Sequence, residues 1–156
     1  MNATILLVDD EPSVRQLLSD KLAEDGFESR SCSTAEEALD LLKTNSFDLI
    51  ISDLRLPKMS GIDLLEIVHQ SYPQCAFLIV TGVDDIRVGI DAMKRGADDY
   101  LVKPFQLEMV VTSITRALER KRLQIEVEDY RQNLARLTLK SVTIRRGKVL
   151  LKLGSE

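Results

Sequence analysis

The sequence predicts a doubly wound α/β domain, with a five-stranded parallel sheet covered by helices on both faces, followed by an extended C-terminal helix. Short apolar runs alternate with segments of helical periodicity five times, and strands that alternate with helices form parallel sheets. The runs TILLV and AFLIV are apolar at every position, which is typical of strands buried on both faces. The absence of Gly and Pro from residue 105 through 146 predicts the long final helix.

The predicted strands recur at nearly regular intervals along the chain. They are TILLV (4–8), FESRS (27–31), FDLIIS (47–52), AFLIV (76–80) and DYLV (99–102), of which the second is the weakest. Two helices between them have clear apolar stripes. The stripe of the helix over 13–24 consists of Val14, Leu17, Leu18 and Leu22, and that of the helix over 35–43 consists of Ala35, Ala38, Leu39 and Leu42.

Capping signals mark the ends of the predicted helices. A capping box is expected before the second helix, from Ser33 with Glu36 or from Thr34 with Glu37. The other expected N-caps are Ser60 and Asp84, the expected helix ends are Gly26 and Gly96, and the expected first-turn residue of the fifth helix is Pro104.

The chain changes character near residue 118. Residues 1–118 carry a net charge of −9, whereas residues 119–156 carry +5. We therefore predict a domain over 1–118 and a helical linker over 119–140. Three alternatives remain for residues 141–156. They form a tail with a short hairpin around Arg146-Gly147, they are a tail that was added artificially, or they begin a truncated output domain.

An apolar heptad stripe runs along the predicted linker, and it consists of Leu123, Val127, Tyr130, Leu134 and Leu137. Such a stripe favours a parallel dimeric coiled coil, while a helix that folds back on its own domain is the alternative. The positive charge of this segment is typical of a solvated helix rather than of a nucleic-acid contact.

Composition excludes several classes of protein. No apolar run reaches the roughly 20 residues of a membrane-spanning helix, and no signal-peptide pattern opens the chain, so we expect a cytoplasmic protein without a membrane partner. Cys32 and Cys75 have no CxxC partner and are expected to be reduced thiols, and His69 is expected to be an ordinary helix residue.

Polar residues follow four of the predicted strands. Asp9 and Asp10 end the first apolar run, Asp53 the third, Thr81 the fourth and Lys103 the fifth. In an open parallel sheet ligands bind outside the carboxyl ends of the strands, so these five side chains should converge. Carboxylates about 4 Å apart repel by about 4 kcal/mol per pair at an effective dielectric near 20, and the cluster should attract a cation. Oxygen ligands on an open rim favour Mg²⁺.

Carboxylates, a divalent metal, a lysine and a hydroxyl are the groups that phosphoryl transfer requires. The sequence contains no P-loop, which argues against a nucleotide donor. The remaining possibility is that a carboxylate acts as the nucleophile and forms an acyl phosphate. Asp53 is the candidate for this carboxylate. Glu11, followed by Pro12, is expected to open the first helix rather than to bind the metal.

Residues 3 to about 120 resemble the receiver domain of two-component response regulators. The matching stretches are ILLVDDEPSVRQLL, DLIISDLRLPKMSGIDLL, LIVTG and GADDYLVKPF. The resemblance implies a flavodoxin-like fold with strand order 2-1-3-4-5. It also implies that Asp53 accepts a phosphoryl group from a sensor histidine kinase or a phosphotransfer protein, with Mg²⁺ as cofactor.

The resemblance also assigns roles to single residues. Asp10 and Asp53 would bind Mg²⁺ directly, Asp9 partly through water, and Arg55 through its backbone carbonyl. Thr81 and Lys103 would bind the phosphoryl oxygens, and Tyr100 would be the aromatic switch residue. A cis Lys103–Pro104 bond is a further implication.

The expected function is a signalling switch that catalyses only its own phosphotransfer and autodephosphorylation and controls homodimerisation or output through the C-terminal helix. The alternative is a dimerisation scaffold that keeps this fold without using phosphate. A phosphatase of the haloacid dehalogenase type is disfavoured because Asp53 is followed by Leu54 and Arg55 rather than by a D-x-D motif. No output motif fits after residue 120, so nucleic acid could be a partner only through a domain outside this chain.

Overall fold

Five parallel strands form one sheet. The computed structural model describes the backbone of residues 3–146 and the side chains of residues 3–139. The strands are β1 (Thr4–Val8), β2 (Glu28–Cys32), β3 (Leu49–Asp53), β4 (Ala76–Thr81) and β5 (Asp99–Val102). Their order in the sheet is β2-β1-β3-β4-β5. The predicted sheet and its strand order are confirmed, and β2 and β3 begin one and two residues later than predicted.

Register aligns the carboxyl ends of the inner strands at one edge of the sheet. Val8 pairs with Ser52 across β1 and β3, and Asp53 pairs with Val80 across β3 and β4. Thr81 pairs with Val102 on β5. The residues that end β1, β3, β4 and β5 therefore occupy neighbouring positions, as the strand-end rule requires.

The position of β2 explains why its sequence signal is weak. β2 lies at the edge of the sheet, and only Cys32 of its five residues is buried. By contrast, all six residues of β4 are buried. A strand with one neighbour and a mostly exposed surface carries polar residues, so it lacks the continuous apolarity of the inner strands.

The helices are α1 (Pro12–Glu24), α2 (Ala35–Thr44), α3 (Gly61–Ser71), α4 (Ile86–Lys94) and α5 (Leu107–Arg146), with a 3₁₀ turn over Val83–Asp85 before α4. Buried residues of α2, α3 and α4 pack on one face of the sheet. Buried residues of α1 and α5 pack on the other face. This two-sided cover confirms the doubly wound class.

Most of the predicted helix ends are confirmed. Thr34 caps α2 by accepting the Glu37 N–H at 3.1 Å. The Glu37 carboxylate accepts the N–H of Ser33 at 3.0 Å rather than that of Thr34, so the expected Thr34–Glu37 capping box is only half formed. Ser60 and Asp63 form a reciprocal capping box at the start of α3. Gly26 and Gly96 follow α1 and α4 with φ of 85° and 115°, a left-handed conformation that glycine adopts without strain.

Three local predictions are wrong. Leu17 of α1 is exposed, because α1 turns only Leu18 and Leu22 fully into the core. Asp84 does not cap α4, because it lies inside the 3₁₀ turn and Asp85 precedes the helix. Pro104 does not open α5, because the first helical acceptor is the carbonyl of Gln106, which receives the N–H of Met109 and of Val110.

Nothing in the sequence stops α5 before Arg146, and the helix continues to that residue. The chain divides into two compact units between Lys121 and Arg122, three residues after the change in charge. The arm of the expected hairpin that precedes Gly147 is therefore helical, and residues 147–156 lie outside the described part. Among the described residues no helix is long and apolar enough to cross a membrane.

Close packing behind the phosphoacceptor candidate predicts the effect of Gly61→Ala. A Cβ on Gly61 would lie 2.3 Å from the backbone oxygen of Asp53 and 3.0 Å from the Cα of Leu54, so the end of β3 would have to move. We expect the free energy of unfolding to fall by about 1–3 kcal/mol or more. Urea denaturation measures it.

Gly82→Ala is the matched control, because no atom lies within 4 Å of the added Cβ. Its expected effect is within about 0.5 kcal/mol. Equal losses in the two variants would show that the close approach at Gly61 is unimportant.

Candidate functional site

Four carboxylates meet at the carboxyl end of the sheet. Asp9, Asp10, Glu11 and Asp53 each offer an oxygen atom, and these atoms lie within 4.8 Å of one another. Asp9 is buried, Asp53 is half-buried, and Asp10 and Glu11 are exposed. β1 and β3 place the four residues side by side, because both strands end at this edge. Such a concentration of negative charge requires a counter-charge.

Lys103 supplies a counter-charge from the end of β5. Its Nζ lies 3.0 Å from Oδ2 of Asp53, 3.3 Å from Oδ2 of Asp9 and 3.3 Å from Oε1 of Glu11. Burial alone would lower the pKa of Lys103, but its hydrogen bonds and charge interactions with Asp53 and Asp9 outweigh burial and raise the pKa above the ordinary lysine value. The ammonium group is therefore charged whenever the fold is intact at neutral pH.

Asp9 is held in place from both its side chain and its backbone. Its Oδ1 accepts the N–H of Glu11 at 2.9 Å, and its backbone carbonyl accepts Nη1 of Arg15 at 2.6 Å. Burial raises the pKa of Asp9, and the charge of Asp53 raises it further. The hydrogen bond from Glu11 and the charge of Lys103 lower it, but burial prevails. The protonated form of Asp9 is thus favoured relative to an ordinary aspartate.

Thr81 carries an unpaired hydroxyl. The residue is fully buried, and within the described part of the chain its Oγ1 has no hydrogen-bond partner. Its backbone carbonyl accepts the N–H of Lys103 at 2.8 Å. This hydrogen bond holds the backbone of Lys103 beside the end of β4. A buried hydroxyl without a partner costs about 1–3 kcal/mol, so its retention at this edge needs an explanation.

Tyr100 and Thr81 meet at Gly89 of α4. A Cβ on Gly89 would lie 3.0 Å from Cγ2 of Thr81 and 3.3 Å from Cδ2 of Tyr100. The Tyr100 side chain is half-buried, and the Lys103–Pro104 bond that follows β5 is cis, as the resemblance implied. Gly89 was not predicted as part of the site, since a single glycine inside a helix carries no distinctive signal.

An ion pair joins the loops that follow β3 and β4. Nε and Nη2 of Arg55 each lie 2.6 Å from a carboxylate oxygen of Asp85. Hydrogen bonding and the opposite charge lower the pKa of Asp85 and raise that of Arg55. The Arg55 side chain is 76% exposed, whereas that of Asp85 is only 12% exposed. The pair was not predicted, because no sequence spacing links residues so far apart.

The sequence predicted the geometry of the site unevenly. Asp9, Asp10, Asp53 and Lys103 do converge, while Glu11 joins them although it was expected only to begin α1. Glu11 does precede α1, but its side chain forms no cap and its carboxylate turns toward Lys103 instead. The backbone N–H of Arg55 lies 3.3 Å from Oδ1 of Asp53, and the metal-binding role of the Arg55 carbonyl stays a prediction.

The predicted dimer residues all lie on α5. Leu123, Val127, Tyr130 and Leu134 are exposed, and Leu137 is half-buried. Cys32 and Cys75 are free and buried, as expected, and contribute no ligand to the cluster.

The donor set of the acidic cluster fits a hard divalent cation. All four members offer carboxylate oxygens, and neither imidazole nor thiolate is among them. Two of the four are exposed, so an ion bound here could keep several waters, as Mg²⁺ does.

Comparisons with known proteins agree with this geometry. The family model "Response regulator receiver domain" matches residues 5–115. The response regulator protein FleR of Pseudomonas aeruginosa is 38% identical over 116 residues, which cover 74% of this chain and 24% of that protein. PilR of the same organism is 39% identical over 113 residues, which cover 70% and 25%.

A solved structure supports the same assignment. The crystal structure of a response regulator receiver domain protein from Clostridium thermocellum is 37% identical, with a TM-score of 0.74, and the match covers 78% of this chain and 98% of that one. This chain spans about a quarter of the length of the curated relatives above. The fold, the acidic cluster and these matches together show that the chain belongs to the receiver domain family of two-component response regulators.

Proposed function

We propose that this receiver domain is a phosphorylation-controlled switch in which Asp53 accepts the phosphoryl group. The observation that carries the proposal is the contact of Lys103 with Asp53 and Asp9, beside two further carboxylates and at the same sheet edge as the unpaired Thr81 hydroxyl. A purely structural sheet edge would not need this many charges in one place.

The proposed reaction is a direct transfer to a carboxylate. An Oδ atom of Asp53 attacks the phosphorus of a phosphohistidine, the phosphorus–nitrogen bond breaks, and the histidine nitrogen leaves with the bonding electrons. The partner that supplies the group is a sensor histidine kinase or a phosphotransfer protein. The Asp53 side chain is 12% exposed, so only a small part of the carboxylate faces solvent, where such a donor would approach it.

Mg²⁺ bound by the acidic cluster would neutralise charge on the transferring phosphoryl group. Asp10 and Asp53 would hold it directly, Asp9 partly through water, and the Arg55 carbonyl would complete the protein ligands. Lys103, charged and close to Asp53, would bind a phosphoryl oxygen, and the Thr81 hydroxyl would bind another. Each of these groups would stabilise charge that increases during the transfer.

The proposed switch connects Thr81 with α4. A phosphoryl group on Asp53 would draw the Thr81 hydroxyl toward it, and the methyl group of Thr81 lies 3.0 Å from the point that a Cβ on Gly89 would occupy. The Tyr100 ring lies 3.3 Å from the same point and would move inward as Thr81 shifts. The equilibrium between two arrangements of α4, β5 and α5 would change, with output or homodimerisation through α5 as the result.

Asp53→Asn tests the proposed acceptor. The amide cannot form an acyl phosphate, so we expect no phosphate incorporation from acetyl phosphate and Mg²⁺, measured as a mass increase of the intact protein. Asp40→Asn removes an exposed carboxylate of α2 and should label like the original protein. The proposal fails if the original protein is not labelled, or if Asp53→Asn still is.

Asp10→Asn tests the metal ligands. Asp10 is exposed, so the variant should fold normally. We expect the affinity for Mg²⁺ to fall by at least tenfold, a loss of about 1.4 kcal/mol, and the rate of phosphorylation to fall with it. Isothermal titration with Mg²⁺ and the labelling rate measure the two effects. An unchanged rate would remove Asp10 from the site.

Asp9→Asn tests the electrostatics of the metal-free site. Burial raises the pKa of Asp9 in the folded protein, so its ionised form destabilises the fold at neutral pH. The asparagine Oδ1 can still accept the N–H of Glu11. Without Mg²⁺, we expect the free energy of unfolding at pH 7 to be higher for Asp9→Asn than for the original protein.

This advantage of Asp9→Asn should shrink as pH falls through the raised pKa of Asp9, because the original side chain then becomes neutral too. Adding Mg²⁺ at pH 7 should reverse the order, because the variant loses a ligand. Urea denaturation over a pH series, with and without Mg²⁺, measures both effects. A variant that is less stable than the original at neutral pH without Mg²⁺ would contradict the assignment of burial as the dominant influence.

A further inference from the structure

Asp85 immediately precedes α4 but does not cap it. Its side chain accepts no hydrogen bond from the first turn of the helix. Aspartate is among the best N-cap residues, because its carboxylate accepts N–H groups that the first turn leaves without an intrahelical partner. Both carboxylate oxygens of Asp85 are instead bound by Arg55, with two contacts of 2.6 Å. Arg55 therefore holds a carboxylate that α4 could use.

We propose that Asp85 has two alternative partners and that phosphorylation of Asp53 exchanges one for the other. In the resting protein Asp85 binds Arg55. In the phosphorylated protein Arg55 binds the phosphoryl group, and the Asp85 carboxylate accepts an N–H from the first turn of α4. The second half of this inference rests on the proposed function. It adds a connection between the acceptor and α4 that does not pass through Thr81 or Tyr100.

The position of Arg55 allows the exchange. Its backbone N–H lies 3.3 Å from Oδ1 of Asp53, so its side chain begins beside the acceptor. That side chain is 76% exposed and loses little packing when it leaves Asp85. The hydrogen bonds and charge of Asp85 are the main reason for the raised pKa of Arg55, and the charge of Asp53 adds to them. A phosphoryl group carries more negative charge than a carboxylate and binds a guanidinium bidentately, so it competes with Asp85 for Arg55.

Asp85 needs a new partner when Arg55 leaves. Its side chain is only 12% exposed, and a carboxylate with so little hydration is costly without a hydrogen-bond donor. The N–H groups of α4 begin at the next residue, Ile86. The backbone of Asp85 has φ of −110° and ψ of 17°, whereas a capping residue is extended. Capping would therefore change the 3₁₀ turn over Val83–Asp85, in which the Asp85 N–H binds the Gly82 carbonyl at 3.0 Å. The exchange thus rearranges the start of α4.

Arg55→Met tests the resting partner without any phosphate. The substitution frees the Asp85 carboxylate to cap α4, whose second and third residues are Arg87 and Val88. We expect amide hydrogen exchange of one of these two residues, measured by NMR on the full chain, to slow about threefold or more. An ion pair with a merely structural role predicts the opposite sign, because its loss would loosen the loop and speed exchange.

Arg95→Met is the matched control. Arg95 also has an exposed guanidinium in an ion pair, but at the other end of α4. Its loss should leave the exchange of the Arg87 and Val88 amides unchanged. Exchange in Arg55→Met that is equal to that of the original protein, or faster, would overturn the proposal.

Asp85→Asn and Asp85→Ala separate the cap from the ion pair. Both remove the ion pair and free Arg55 for the phosphoryl group, but only asparagine can accept an N–H of the helix. We expect acetyl phosphate with Mg²⁺ to label Asp85→Asn about fivefold faster than the original protein, because no ion pair has to break. Asp85→Ala should be labelled about threefold more slowly than Asp85→Asn, since it gains no cap. Equal rates for the two variants, or an Asp85→Asn variant no faster than the original, would contradict the exchange.

Hydrogen exchange in the presence of acetyl phosphate and Mg²⁺ tests the second partner, with phosphate incorporation determined on the same samples. The amide that slows in Arg55→Met should also slow in the phosphorylated original protein, but not in phosphorylated Asp85→Ala, which has no carboxylate to offer. A chain that is labelled at Asp53 without this change would overturn the exchange and leave the proposed acceptor intact. A chain that is never labelled would overturn the proposed function and the exchange that depends on it, and Arg55→Met would still decide whether Arg55 and α4 compete for Asp85.

Discussion

The ammonium group of Lys103 holds the candidate site together. It lies within 3.3 Å of carboxylates from three residues, and carboxylates this close repel one another by several kcal/mol at the effective dielectric of a protein surface. Lys103 follows the strand at one edge of the sheet, whereas the acids follow two inner strands, and β4 lies between them. The contact therefore exists only when β3, β4 and β5 pair in the correct register. The site forms only when the sheet has formed.

That dependence explains why so much of the site could be predicted from sequence. Parallel strands separated by helices must align their carboxyl ends, so the position of Asp9, Asp53, Thr81 and Lys103 along the chain predicted their place in space. Turn glycines were equally informative, since Gly26 and Gly96 adopt backbone angles that other residues avoid. These features follow from local periodicity and topology alone.

Features that depend on the reach of a single side chain escaped the same reasoning. Glu11 precedes α1, yet its carboxylate contacts Lys103, which is 92 residues away in the chain, and spacing does not predict a contact so distant in sequence. Arg55 and Asp85 are 30 residues apart, and their pairing follows from how two loops cross the sheet edge. Leu17 was expected inside because it belongs to an apolar stripe, but α1 buries only Leu18 and Leu22 fully, and Leu17 is exposed. Helix periodicity gives the direction of a face but not its width.

The buried hydroxyl of Thr81 has a thermodynamic consequence beyond the site itself. A polar group without a partner makes the resting arrangement less stable than it could be, by an amount comparable with the free-energy gaps that separate two conformations of a switch. Under the proposed function, any molecule that binds selectively to the arrangement in which Thr81 has moved must also favour phosphorylation, because coupling between two binding equilibria is reciprocal. The target of the signal would then act back on its own input, by making the phosphorylated protein more stable relative to the unmodified one in the complex than in the free chain.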